Sequence, residues 1–110
     1  MKSNNNSQFS EVRSMYFENY DSEPVAEGLF SKVKFHVTGS VRPAVLDTLA
    51  RGGAQRSHYL STFTTHLIVG PGRDEDVVSE AEDMLDIPAV SEEWVLASRH
   101  VRSMLSTKVS

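Results

Sequence analysis

The pattern of hydrophobic and polar residues becomes regular at Leu29. Over residues 33–37, apolar and polar side chains alternate with a period of two, which predicts a half-buried β-strand. We expect the helix that follows to be capped by Ser40 and to hold Pro43 in its first turn, where a missing N–H costs no hydrogen bond. Gly52-Gly53 should end this helix, because glycine readily adopts a left-handed conformation past a helix end. Its apolar stripe consists of Val41, Val45, Leu46 and Leu49.

The second half of the chain predicts three more strands and two more helices. Strands are expected near residues 54–57, 65–69 and 88–90, with a loop over 58–65. Asp74 should begin the second helix, and Ser91 should cap the last. Strands that alternate with helices favour an α/β fold, a mostly parallel four-stranded sheet with helices on both faces.

The second helix has one apolar position more than a single stripe requires. Val77, Ala81, Met84 and Leu85 can face the sheet together, whereas Val78 lies about 100° around the helix from Val77. Val78 therefore indicates a second contact, with a neighbouring module or a partner. The alternative is a lone exposed valine, which is common.

Residues 1–28 have a different composition. They are rich in Asn, Ser and Glu and contain few aliphatic residues, so they cannot bury enough apolar surface to offset their ordering entropy. We interpret them as a flexible polar tail, although Phe9, Val12 and Tyr16 leave open a short docking helix. The folded domain is expected to span residues 29–107, with 108–110 as a short second tail.

Composition narrows the classes of function. The 110 residues suffice for one domain, and the formal net charge of -4 argues against a nucleic-acid partner. There is no cysteine, and the four histidines lack the spacing of metal ligands, so we expect neither a metal site nor a cofactor. We find no catalytic motif, no membrane-spanning run and no signal peptide, and we expect an intracellular protein.

Three features in order resemble the BRCT domain family. The first strand ends in Val37-Thr38-Gly39, Gly52-Gly53 follows the first helix, and Trp94-Val95-Leu96-Ala97-Ser98 is similar to the Trp-x-x-x-Ser of the family's last helix. The resemblance implies a BRCT fold, with a central four-stranded parallel sheet flanked by three helices. Trp94 is then a core residue rather than a surface anchor, and Ser98 bonds to backbone within the same packing.

The resemblance also implies a function. Residues 29–34 and 85–90 are similar to BRCT domains of nuclear scaffolds in the DNA-damage response and chromatin regulation. The chain is then a non-catalytic module, monomeric in isolation, that binds proteins, phosphorylated or not, or an adjacent BRCT domain. The alternatives are a DNA-binding BRCT module and an appendage of a DNA repair enzyme.

The most specific functional site that the resemblance implies is a phosphate-binding site. In phosphopeptide-binding members, a hydroxyl residue and a glycine after the first strand bind the phosphate together with a lysine of the second helix. Thr38 and Gly39 match, but our alignment places Glu82 at the lysine, where a carboxylate would repel phosphate. Thr38-Gly39 is otherwise only a strand-to-helix turn. Val78 and Glu82 are the candidate partner-binding residues.

The acidic run from Asp74 to Asp86 is a further candidate. Its carboxylates could attract a basic partner, although such a run is more commonly a solvated helix face.

Overall fold

A computed structural model describes residues 24–107 and confirms the predicted architecture. Four parallel strands form one sheet in the order β2-β1-β3-β4. The elements in chain order are β1 (Lys34–Thr38), α1 (Pro43–Arg51), β2 (Gln55–Arg56), β3 (His66–Val69), α2 (Glu75–Ser79, continued by the π-helical turn Glu80–Met84), β4 (Ala89–Ser91) and α3 (Glu92–Val101). The first 23 residues of the tail predicted over 1–28, with Phe9, Val12 and Tyr16, and residues 108–110 lie outside the described part.

Each face of the sheet has its own core. Side chains alternate along β3, so Ile68 joins the core beneath α1 and α3, while Leu67 and Val69 join the core beneath α2. The first core comprises Phe30, Val33, Phe35, Val45, Leu49, Ile68, Val90, Trp94, Val95 and Leu96. The second is smaller and comprises Leu67, Val69, Ala81 and Ile87. No helix within residues 24–107 has the length and apolarity to cross a bilayer.

The N-terminus of α1 differs from the prediction. Its N-cap is Arg42 and not Ser40, whose amide instead donates to Pro71 O at 2.9 Å. The Arg42 amide donates to Glu92 Oε2 at 2.7 Å, so a carboxylate from α3 lies at the positive end of the α1 dipole. Pro43 occupies the first helical turn, as predicted.

The C-terminus of α1 confirms the role of the glycine pair. Gly52 is the C-cap, and Gly53 adopts a φ of +96°, which glycine tolerates best. Gly52 also lies against the core, since a Cβ atom there would be 2.5 Å from Phe30 Cδ2. The pair therefore ends the helix and lets Phe30 pack beneath it.

The second helix ends in a wider turn than predicted. The Leu85 amide donates to Glu80 O at 3.1 Å, five residues back, as in a π-helix. The turn changes the helical phase, so Met84 points into solvent with 78% of its surface exposed, and its predicted place against the sheet is wrong. Val78 is half-buried and packs with Val77 against the second core.

The folded unit begins before the predicted boundary at Leu29. Val25 is half-buried and packs against the first core, where its Cγ1 lies beside Gly52. Residues 25–28 therefore belong to the domain and not to the tail. A hydrogen bond from Phe30 N to Gly52 O, 2.8 Å long, holds this entry segment against the end of α1.

The last helix confirms the roles of Trp94 and Ser98. Trp94 is buried, and its Nε1 donates to Leu105 O at 3.0 Å. Ser98 Oγ accepts a hydrogen bond from Leu105 N at 3.1 Å, so the two side chains hold the segment after α3. Ser91 is the N-cap by position, but its side chain makes no capping hydrogen bond.

Candidate functional site

The strand order creates a crevice between β1 and β3. The chain leaves β1 toward β2 on one side, and β3 continues toward β4 on the other. Ligands of open parallel sheets bind outside the carboxyl ends of the strands at such a switch point. Thr38 and Gly39 follow β1 here, and Gly70 follows β3. The structure thus places the two predicted phosphate-binding residues at the expected edge.

Two glycines let the loops at this edge meet. Gly39 has a φ of +88°, and a Cβ atom there would collide with the carbonyl oxygen of Gly70. A Cβ atom on Gly70 would collide with Ser40 O. The loops are also hydrogen-bonded, from Gly70 N to Thr38 O at 3.0 Å. The sequence Gly70-Pro71-Gly72 by itself predicts only a turn. The feature that could have predicted this contact is a glycine directly after each of the two strands.

Thr38 contributes its hydroxyl to the start of α2. Its side chain is buried, and Oγ1 accepts a hydrogen bond from Asp74 N at 3.0 Å. The Asp74 carboxylate in turn accepts from Asp76 N at 2.9 Å and caps the helix. A carboxylate therefore already occupies the positive end of α2, which a phosphate would need.

A cleft of about 480 Å³ lies beside this edge. Three carboxylates line it, those of Glu75, Glu92 and Glu93, against the single guanidinium of Arg73. Arg73 Nε donates to Glu75 Oε2 at 3.1 Å, so its charge is partly balanced. The complete lining is Val69, Gly70, Pro71, Gly72, Arg73, Glu75, Ser91, Glu92 and Glu93. This excess of negative charge disfavours a phosphate.

Glu82 is not part of this edge. It lines a separate groove with Asp86, Pro88 and Thr107. The Leu67 amide donates to Pro88 O at 2.9 Å, which places that groove at the amino ends of β3 and β4. Because α2 begins next to Asp74, whose amide donates to Thr38 Oγ1, Glu82 lies further along the helix, away from Thr38 and Gly39. The carboxylates near the edge are those of Asp74 and the cleft.

The buried imidazole of His66 serves packing. Its ring lies 5.0 Å from that of Trp94, and Nδ1 is 2.8 Å from Thr65 Oγ1. Burial lowers the pKa of His66, because desolvation disfavours the imidazolium form. Over residues 24–107, no three His, Asp or Glu side chains are grouped so that they could hold a metal ion.

Comparison with known proteins identifies the family. The family model described as BRCA1 C Terminus (BRCT) domain matches residues 25–99. The chain is 34% identical to the mouse PAX-interacting protein 1 over 87 residues, which are 76% of this chain and 8% of that protein. The zebrafish protein of the same name is 35% identical over 78 residues, 71% of this chain. The chain thus corresponds to a small part of these relatives.

Solved structures agree on the fold. The second BRCT domain of XRCC1 superposes with a TM-score of 0.65 at 11% identity and covers 76% of this chain and 88% of that one. Rad4 BRCT1,2, in complex with an Mdb1 phosphopeptide, gives a TM-score of 0.61 at 19% identity and covers 91% of this chain and 61% of that one. Sheet order, the switch-point edge and the family match agree, and this chain belongs to the BRCT family.

Proposed function

We propose that this domain is a non-catalytic protein-interaction module of a nuclear scaffold that acts in the DNA-damage response and chromatin regulation. Three findings support the proposal: the BRCT family match, the relatives named PAX-interacting protein 1, and fold neighbours from the DNA repair proteins XRCC1 and REV1.

The domain recognises its partners without a phosphate contact at the β1–β3 edge. The observation that carries this proposal is the charge of the edge, where Asp74 caps α2 and Glu75, Glu92 and Glu93 line the cleft. Rad4 BRCT1,2 was solved with a phosphopeptide, so the fold can bind one. In this chain, Thr38 and Gly39 have structural contacts that account for their presence. These contacts support the alternative in which Thr38-Gly39 is only a strand-to-helix turn.

A neighbouring BRCT domain is a second kind of partner for the surface of α2. Met84 is 78% exposed on this helix, and Val78 is half-buried on it. Methionine is enriched at protein interfaces, so the exposed Met84 supports a contact in a longer protein. Glu82, exposed on the same helix, would lie at the polar rim of that contact.

Affinity capture with the 110-residue chain tests the proposed function. The bait is incubated with nuclear extract of the organism that encodes it, before and after treatment with phosphatase, and in parallel with nuclease. We expect the same proteins to be recovered under all three conditions. Loss of every partner after phosphatase would refute recognition without phosphate. Loss after nuclease would instead support the DNA-binding alternative.

A further inference from the structure

The connection between β2 and β3 is a loop with two anchored ends. Residues 57–65 cross β1 where another α/β protein would place a helix. At one end the Ser57 amide donates to Phe35 O, and at the other the Thr65 amide donates to Lys34 O, both at 2.7 Å. Leu60 packs against the second core between these ends. The loop is therefore a fixed part of the face that α2 covers.

Hydrogen bonds within the loop hold its shape. Ser61 N donates to Thr64 Oγ1, Thr64 N donates back to Ser61 O, and Phe63 N donates to Ser61 Oγ, each at 3.1 Å. Thr64 is buried. These bonds restrict the backbone of the loop before any partner binds, which lowers the ordering cost of binding.

Two aromatic rings project from this loop. Tyr59 is 71% exposed and Phe63 is 74% exposed, and they flank the inward-facing Leu60 and Thr64. Rings on a preordered backbone lose little conformational entropy on binding, and aromatic residues are enriched at protein interfaces. The exposure of both rings beside a half-buried leucine indicates a surface that contacts a partner.

The charge around the loop is positive in an otherwise acidic chain. Residues 48–73 contain no Asp or Glu. Lys34, whose backbone bonds to Thr65, is exposed, and it alternates with the first-core residue Phe35, so it lies on the same face of the sheet as the loop. Over residues 24–107, Lys34 forms no ion pair with a carboxylate. The carboxylates of the folded part cluster instead between Asp74 and Glu93.

We propose that Tyr59, Phe63 and Lys34 form a docking surface for an acidic peptide segment of a protein partner. Large apolar side chains of the segment pack on the two rings, and one of its carboxylates pairs with Lys34. The inference rests on the proposed function only in that the partner is a protein. It does not depend on the β1–β3 edge.

The observations favour a peptide over a nucleic acid. Affinity for DNA comes from many phosphate contacts, on the order of six to ten in a salt-dependent complex. The surface offers one cation, Lys34, that has no ion-pair partner within residues 24–107, on a chain with a net charge of -4. A short acidic peptide needs few ion pairs, because the rings supply apolar contact area.

An array of 12-residue peptides tests the proposal. Half of the positions are Asp or Glu, two are Leu, Phe or Trp, and the rest are Gly or Ser. A matched array replaces each acidic residue with Lys, and a single-stranded DNA of 12 nucleotides is included. The probe is the labelled 110-residue chain. We expect binding to the acidic array only, and the strongest peptide should shift amide NMR signals of residues 32–36 and 56–65.

Variants then separate this surface from others. The double substitution Tyr59→Ser and Phe63→Ser should weaken the strongest peptide about tenfold or more, and Lys34→Glu should do the same. Val101→Ser and Arg51→Glu are controls at exposed positions on other elements and should leave binding unchanged. Thermal melting verifies that each variant is folded.

Three results would overturn the proposal: no acidic peptide binds, the DNA binds more tightly than every peptide, or the control substitutions weaken binding equally. Partners that are still captured from extract by the Tyr59→Ser, Phe63→Ser variant would refute this surface alone and leave the proposed function standing.

Discussion

At the scale of single residues, Gly39 and Gly70 decide whether the carboxyl edge can close. Gly39→Ala should lower the free energy of unfolding by about 2–5 kcal/mol, because a Cβ atom meets the Gly70 carbonyl in a left-handed backbone conformation. Gly72→Ala is the matched control, since Gly72 has a φ of +80° with no atom within 4 Å of the added Cβ. It should cost only about 1–2 kcal/mol. Urea denaturation measures both, and equal losses would contradict the close approach.

His66 makes stability depend on pH. Its pKa in the folded chain is below the ordinary value of 6.5, because burial disfavours the imidazolium form. Near pH 6 the unfolded chain therefore binds more protons than the folded one. The contribution of His66 is fully present above its ordinary pKa and is lost as the pH falls through the lowered pKa.

Urea denaturation at pH 7.5 and pH 5.5 tests this linkage. We expect the wild-type chain to be less stable at the lower pH, and His66→Gln to lose less stability between the two values. The other three histidines remain in the variant, so they cancel in the comparison. An identical loss in both proteins would show that His66 does not carry the dependence.

At the scale of elements, α2 distinguishes a core-facing valine from an exposed methionine. Val78→Glu should destabilise the isolated chain by about 1–3 kcal/mol, because Val78 packs against the second core. Met84→Glu should change the free energy of unfolding by about 0.5 kcal/mol or less, since Met84 is exposed. In a longer protein with a following domain, Met84→Glu should separate the melting transitions of the two domains. If Val78→Glu is neutral, Val78 is a surface residue, and its predicted contact with a neighbouring module or a partner regains support.

Local patterns predicted the elements, but contacts between distant residues were beyond them. Alternation and helical spacing were enough for the four strands, the three helices and the core role of Trp94. The carboxylate at the start of α1 belongs to Glu92, fifty residues after Arg42, so the sequence around Ser40 could not predict it. Arg99, fully buried with Nη1 3.5 Å from Thr48 Oγ1, also had no local signal. The π-helical turn is wider than an α-helical turn. The α-helical spacing that placed Met84 against the sheet therefore does not hold there, and Met84 points outward.

The candidate site was predictable in position and not in chemistry. The family resemblance located Thr38 and Gly39, which lie at the switch point of the sheet. The predicted place of Glu82 beside the phosphate depended on aligning the second helix residue by residue. The fold instead places Glu82 near the amino ends of β3 and β4, away from the carboxyl edge. The negative charge at the edge arises from residues of two distant segments, Asp74 with Glu75 and Glu92 with Glu93. Only the fold brings them together.

At the scale of the whole molecule, the boundary of the domain lies before Val25. Val25→Ala removes two methyl groups of a half-buried side chain. It should lower the free energy of unfolding by about 1 kcal/mol and the melting temperature by about 4–8 °C. Val101→Ala is a control in an exposed position, at 51% exposure, and should shift the free energy by about 0.5 kcal/mol or less. Differential scanning calorimetry measures both. No shift for Val25→Ala would restore the boundary at Leu29.

The distribution of charge divides the whole domain into two surfaces. The carboxyl edge and α2 are acidic, while the side formed by β2 and the following loop contains no acidic residue. We expect the acidic surface of the carboxyl edge and α2 to repel a phosphorylated partner. We expect the side formed by β2 and the following loop to attract an acidic peptide. This asymmetry unites the two binding proposals, because one chain is expected to reject phosphate at the family's usual edge and to bind carboxylates elsewhere.

The most direct test is a fluorescence anisotropy titration of the 110-residue chain with paired degenerate peptides. Each pair is identical except that a central serine is phosphorylated in one member. We predict that the two dissociation constants differ by less than about threefold, because the Asp74 carboxylate already caps α2 where the phosphate would bind. Micromolar binding of the phosphorylated member alone, abolished by Thr38→Ala in a chain that remains folded, would contradict the account.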